Sequence, residues 1–202
     1  MRLVEKFIPF GSKRRELTLD YIRVHYDPRA NEISIDPTVI VIHWTASCSL
    51  QRVYAIFKGD AISLRRWRLR REGKVNVSAQ FVVDRDGTSY QLMPANWMAR
   101  HTIGLNWTAI GIENVGGPRC PLTAEQLATN AELVVYLHEK FPGIRYLIGH
   151  HEYLAFRGTE LWKGRSEQYV TQKIDPGSQF MEDLRRQLGE LGVQLLATPS
   201  GG

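Results

Sequence analysis

Cysteine is nearly absent from this chain, which has only Cys48 and Cys120 among its 202 residues. Two such residues are too few for a disulfide framework and match no zinc-ribbon spacing, so both read as free thiols, with a single bridge as the alternative. Long apolar runs are also missing. None approaches the roughly 18 residues that cross a bilayer as a helix, so no transmembrane helix is expected. The amino terminus, Met1–Pro9, lacks the apolar stretch of a secretory signal. That leaves a cytoplasmic protein or one whose signal has been removed, and the cell envelope, periplasm or exterior is the expected location. Internal repeats and low-complexity segments are absent too. Acidic residues number 21 against 26 lysines and arginines, a net charge of +5 that favours a polyanionic partner such as an acidic lipid face, an acidic envelope polymer or nucleic acid.

What is present is an ordinary globular composition, 43% hydrophobic and 23% charged, in a chain long enough to bury one full core. The most informative stretch is Thr38–Ala46. Val39, Ile40, Val41 and Ile42 form a β-branched apolar run suited to a strand covered on both faces. His43 follows at its carboxyl end, where open α/β sheets place their chemistry. A lone histidine there reads as a neutral core imidazole. This one has company in Gly149-His150-His151-Glu152, after another apolar run, and in Lys173-Ile174-Asp175-Pro176-Gly177. Two imidazoles and one carboxylate make a three-ligand zinc site with one open position. His151 is the rival to His150, since a shift of one residue at a strand end turns the side chain to the other side.

Several elements follow from spacing. Leu17, Tyr21 and Val24 suggest a helix over residues 16–25. Leu50, Val53, Tyr54 and Phe57 predict a one-faced helix over 49–58 capped by Ser49. Asp84-Arg85-Asp86-Gly87 joins two strands, 79–84 and 88–93, as a hairpin. Ala109–Val115 reads as a strand in which Gly111 and Glu113 share one face; Glu113 is either solvent-facing or, if that face looks into a cleft, a general acid or base. Thr123–Lys140 opens on a capping box, Tyr146–Ile148 is a short buried strand, and Ser178–Leu191 is a last helix. Arg65-Arg66-Trp67-Arg68-Leu69-Arg70-Arg71 is the densest charge, either a solvated face or a contact for an anionic surface. No nucleic-acid recognition motif accompanies it, so no specific nucleic-acid partner is expected.

The ordered set Val41-Ile42-His43-Trp44-Thr45-Ala46, Ser78–Gly87, His101-x-x-Gly104, Gly111-Ile112-Glu113-Asn114, Gly149-His150 and Lys173–Gly177 resembles the zinc-dependent N-acetylmuramoyl-L-alanine amidases. That family includes the peptidoglycan recognition proteins and the amidase-type phage lysozymes, and the resemblance runs from Thr38 to Leu188. It implies an α/β fold with a central mixed sheet flanked by helices and one zinc ion at the strand ends. It also implies hydrolysis of the amide between the lactyl group of N-acetylmuramic acid and L-alanine. Carried over, the metal ligands are His43, His150 and Asp175; Glu113 and Lys173 are catalytic; His101 and Asn114 meet the substrate. Peptidoglycan or its muropeptide fragments are the expected partner of a monomer. The implied organisation is an amino-terminal arm over residues 1–37 packing on the core, a catalytic domain over 38–192 and a flexible tail over 193–202. A non-catalytic muropeptide-binding module is the alternative.

Overall fold

The computed structural model describes residues 1–166 and 168–199. Glu167, in the stretch between His151 and Lys173, and the last three residues of the expected tail lie outside the described residues.

Six strands form one mixed sheet: β1 (Leu3–Glu5), β2 (Val39–Trp44), β3 (Phe81–Val83), β4 (Ser89–Gln91), β5 (Ala109–Asn114) and β6 (Tyr146–Gly149). Their order is β1-β4-β3-β5-β2-β6. The β3–β4 hairpin is antiparallel and every other pair is parallel. β2 therefore lies inside the sheet between β5 and β6, as its unbroken apolar run requires.

Strand alternation sorts side chains between two layers. On one face Ile40, Ile42, Ile110, Ile112 and Leu147 pack against α4 (Ala124–Lys140) and α5 (Ser178–Glu190). On the other, Val39, Val41 and Ile148 meet Tyr153 and Phe156, while Val82 and Val115 meet Val53 and Phe57 of α2 (Leu50–Phe57). Ser49 caps α2 and Thr123 with Gln126 closes a capping box on α4, which fixes where both helices begin.

The amino-terminal arm is woven into the structure. β1 lies along β4, and α1 (Ser12–His25) buries Tyr21 and Ile22 against Ile33, Ile35, Val75 and Met98. α1 starts four residues before the apolar spacing shows it, because its first turn carries the buried Arg14, whose guanidinium donates to the Phe57 and Gly59 carbonyls at 2.8 and 2.7 Å. At the opposite edge, Leu196 exchanges backbone hydrogen bonds with Arg145 and Leu147 beside β6, so residues 193–196 return to the sheet.

The free-thiol reading of the cysteines is overturned: Cys48 and Cys120 form a disulfide with Cα atoms 6.0 Å apart. Bridges between Ser47 and Gly116, and between Gly117 and Cys120, bring the loops after β2 and β5 together. Residues 72 positions apart in sequence thereby become neighbours beside the strand ends.

Candidate metal centre

Three segments deliver the site. His43 leaves β2 on the face of Val39 and Val41. β6 hands over directly to a 3₁₀ turn, His150–Phe156, whose first residue is His150. Asp175 comes from the turn before α5. His43 Nδ1 lies 2.9 Å from His150 Nδ1 and 3.2 Å from Asp175 Oδ2, and His150 Nδ1 lies 3.0 Å from the same carboxylate oxygen. All three residues are buried.

This donor set fits zinc. Tetrahedral bonds of about 2.0–2.1 Å separate neighbouring donors by about 3.3 Å, close to the distances found. Charge agrees as well. Burial raises the Asp175 carboxyl, but hydrogen bonds from His150 and His43 outweigh it and hold the group well below the usual carboxylate range. Burial and the neighbouring His43 lower His150 to about 4, so its imidazole is neutral at pH 7 and keeps a lone pair for a cation.

A second layer orients the ligands. His43 Nε2 lies 3.0 Å from His101 Nδ1 and 3.3 Å from Thr102 Oγ1, so the ring is held from behind. His101 fits because Gly111 leaves room: a Cβ there would stand 2.8 Å from the His101 ring. His151 stands outside the three-residue cluster. Its backbone N–H and its Nδ1 both meet the Asp175 carbonyl at 3.0 Å, fixing the turn that carries the carboxylate. Gly149 is required here too, since a Cβ would stand 2.6 Å from the His151 ring and 2.9 Å from Pro176. Further back, the Tyr153 hydroxyl donates to the Thr171 carbonyl at 2.7 Å and accepts from the Thr171 N–H at 2.8 Å, securing the chain ahead of Lys173.

Glu113 is paired in register with His43 and shares its face of the sheet. Its Oε2 is buried with no hydrogen-bond partner among the described residues. Burial, then the Asp175 charge, push its carboxyl well above the ordinary range, with Lys173 acting in the opposite sense. Glu113, Lys173 and His101 line the same cleft as the three-residue cluster, a space of about 850 Å³.

Asn114, expected at the substrate, faces away from the metal-binding cluster. Adjacent to Glu113, it turns to the opposite face of β5, where it is fully buried; its Nδ2 donates to the His43 carbonyl at 3.1 Å, and its Oδ1 accepts from Asn130 of α4 at 2.7 Å. It braces the strand behind His43 and has no access to a ligand in the cleft. Thr102 and Tyr153 were not singled out by the sequence, although Thr102 stands next to a residue that was, and His151 was weighed only as a rival ligand.

Comparisons with known proteins agree with this geometry. Among solved structures, the amidase LysC from Clostridium intestinale URNW is similar at a TM-score of 0.58 and 20% identity, covering 94% of this chain and 98% of that one. AmpD, as its selenomethionine derivative, is similar at 0.58 and 20%, covering 93% and 94%. Bumblebee PGRP-SA is similar at 0.56 and 18%, covering 98% and 99%. These TM-scores establish a shared fold. A comparison with curated protein sequences finds no match. Residues 34–178 match the family described as N-acetylmuramoyl-L-alanine amidase, a span that includes every ligand and cleft carboxylate described above. The chain is therefore a member of the N-acetylmuramoyl-L-alanine amidase family, Amidase_2.

Proposed function

We propose that this chain is a zinc-dependent peptidoglycan hydrolase cleaving the amide between the lactyl group of N-acetylmuramic acid and the L-alanine of the stem peptide. The observation carrying this reading is the Glu113 carboxyl, whose Oε2 is buried without a hydrogen-bond partner among the described residues, on the same sheet face as His43 of the His43, His150 and Asp175 cluster. A carboxyl with raised proton affinity beside a metal-binding cluster suits a group that moves protons more than one that only binds.

An amide resists hydrolysis because its carbonyl is a weak electrophile, its amine is a poor leaving group and neutral water is a weak nucleophile. His43, His150 and Asp175 would hold the ion, which supplies a Lewis acid and a water of pKa about 7. Glu113 takes the proton of the attacking water and returns it to the departing L-alanine nitrogen; its raised proton affinity suits both halves of that transfer. Lys173 presents its ammonium to the negative charge that develops on the carbonyl oxygen. His101 and Thr102 hold the His43 ring in one orientation while this happens. The Cys48–Cys120 disulfide supports a working place outside the cytoplasm, where such bonds persist.

The test is mass spectrometry of intact sacculi and of purified muropeptides after incubation with the protein, with and without a zinc chelator. Free stem peptides beginning at L-alanine, abolished by the chelator, are expected. Muropeptide binding without any cleavage would overturn the hydrolase reading in favour of a binding module.

A further inference from the structure

The arginine-rich segment lies outside every motif of the amidase reading. It folds as a 3₁₀ turn, Leu64–Arg66, running into the short helix α3 (Trp67–Arg71). The segment is fixed from beneath. The Arg70 guanidinium donates to the Ile62 carbonyl at 2.8 Å, and buried Arg100 donates to the Leu69 carbonyl at 2.8 Å. Ser63, Arg66 and Leu69 face the cleft. The remaining side chains have no inward role.

Leu64 stands in the 3₁₀ turn, and Trp67, Arg68 and Arg71 stand in the short helix that follows it. Leu64 is 75% exposed and Trp67 is 55% exposed, and Arg68 and Arg71 are exposed with them. No acidic residue occurs between Ala61 and Arg71, and Arg65, Arg68 and Arg71 form no ion pair among the described residues. Arginines alone are content in water. An exposed leucine and an exposed tryptophan in one short segment are not, and their display on a segment anchored from beneath points to a surface that takes up both apolar and cationic groups.

We propose that this ridge docks the protein on a bilayer rich in anionic lipid, with Leu64 and Trp67 entering the headgroup–acyl boundary and Arg65, Arg68 and Arg71 pairing with lipid phosphates. Leucine and tryptophan beside arginine are the composition of an interfacial face. A nucleic-acid or free-polyanion site fits less well. The Arg68 guanidinium already lies 5.4 Å over the Trp67 ring, covering a face on which a base would stack, and Leu64 has nothing to offer a soluble phosphate chain. Because Ser63, Arg66 and Leu69 of the same segment line the cleft, docking would set the cleft mouth beside the membrane surface.

The test is co-sedimentation of the full chain with vesicles of phosphatidylglycerol and phosphatidylcholine, and with phosphatidylcholine vesicles alone, with soluble polyphosphate and duplex DNA as competitors. Binding is expected only to the anionic vesicles. The double substitution L64S/W67S, which keeps every charge, should weaken it about tenfold or more. R65Q/R68Q/R71Q should weaken it about a hundredfold, at about fivefold per arginine. Melting temperatures equal to the parent's show that the variants are folded. Failure to bind anionic vesicles overturns the proposal. So does unchanged binding by L64S/W67S with full displacement by polyphosphate or DNA, which would make the ridge a purely electrostatic polyanion site. The readout is independent of amide hydrolysis.

Discussion

His43 and Glu113 are register partners on the parallel strands β2 and β5. The pleat sends both side chains to the same face, so one hydrogen-bonded pair of strands fixes the distance between the metal-binding cluster and the carboxylate proposed to move protons. Rigidity of this kind suits a site in which a water must sit between two groups.

The first prediction concerns that carboxylate. Glu113→Gln keeps the shape of the side chain but cannot accept a proton, so turnover should fall about 10²–10⁴-fold. Zinc content and muropeptide affinity should stay at parental values. Unchanged turnover in a stem-peptide release assay would remove Glu113 from the mechanism.

A second prediction separates two roles for His101. Its Nδ1 contacts the far nitrogen of His43, so His101→Ala should lower zinc affinity by about 10–100-fold in a chelator competition. Unaltered zinc affinity with a raised KM would instead put His101 at the substrate.

Stability should depend on the one covalent cross-link found among the described residues. Cys48 and Cys120 are 72 positions apart, and Cys48→Ser with Cys120→Ser should cost about 2–4 kcal/mol through the larger entropy of the unfolded chain. Urea unfolding of the double variant, and of the parent with and without reductant, measures this. Coincident curves would show that the bond contributes nothing.

Away from the cleft, His25 predicts a pH effect. Burial lowers its pKa from 6.5, and the nearby Arg100 charge works in the same direction, against the hydrogen bond to the Glu72 carbonyl. The unfolded chain then binds the proton more readily than the folded one just below pH 6.5, so this contribution to stability is complete above that value and is lost as pH falls. His25→Gln cannot titrate. Its melting temperature should change less between pH 7.5 and about pH 5 than the parent's, and parallel curves would contradict the assignment.

Much of the site was legible because it hangs on strong local signals. The apolar run before His43, the capping box at Thr123 and the Lys173–Gly177 turn each declare their own structure. Period-2 alternation already sets Asn114 on the face opposite Glu113, which residue-by-residue transfer of a motif does not convey. The disulfide was illegible for a different reason, since pairing depends on loops that meet only after β2 and β5 are side by side. Nor could β1 announce itself: like β3 and β4 it has only three residues, but no turn signal such as Asp84–Gly87 accompanies it.

Leu3–Glu5 along β4 and Leu196 beside β6 sit on opposite borders of the sheet. Each covers backbone donors and acceptors that would otherwise be open to another molecule. Trimming either segment would convert a finished sheet into a template for strand exchange. A shortened protein should therefore self-associate on size-exclusion chromatography before it loses its fold. Unchanged elution of the shortened protein at rising concentration would show that these edges need no cover.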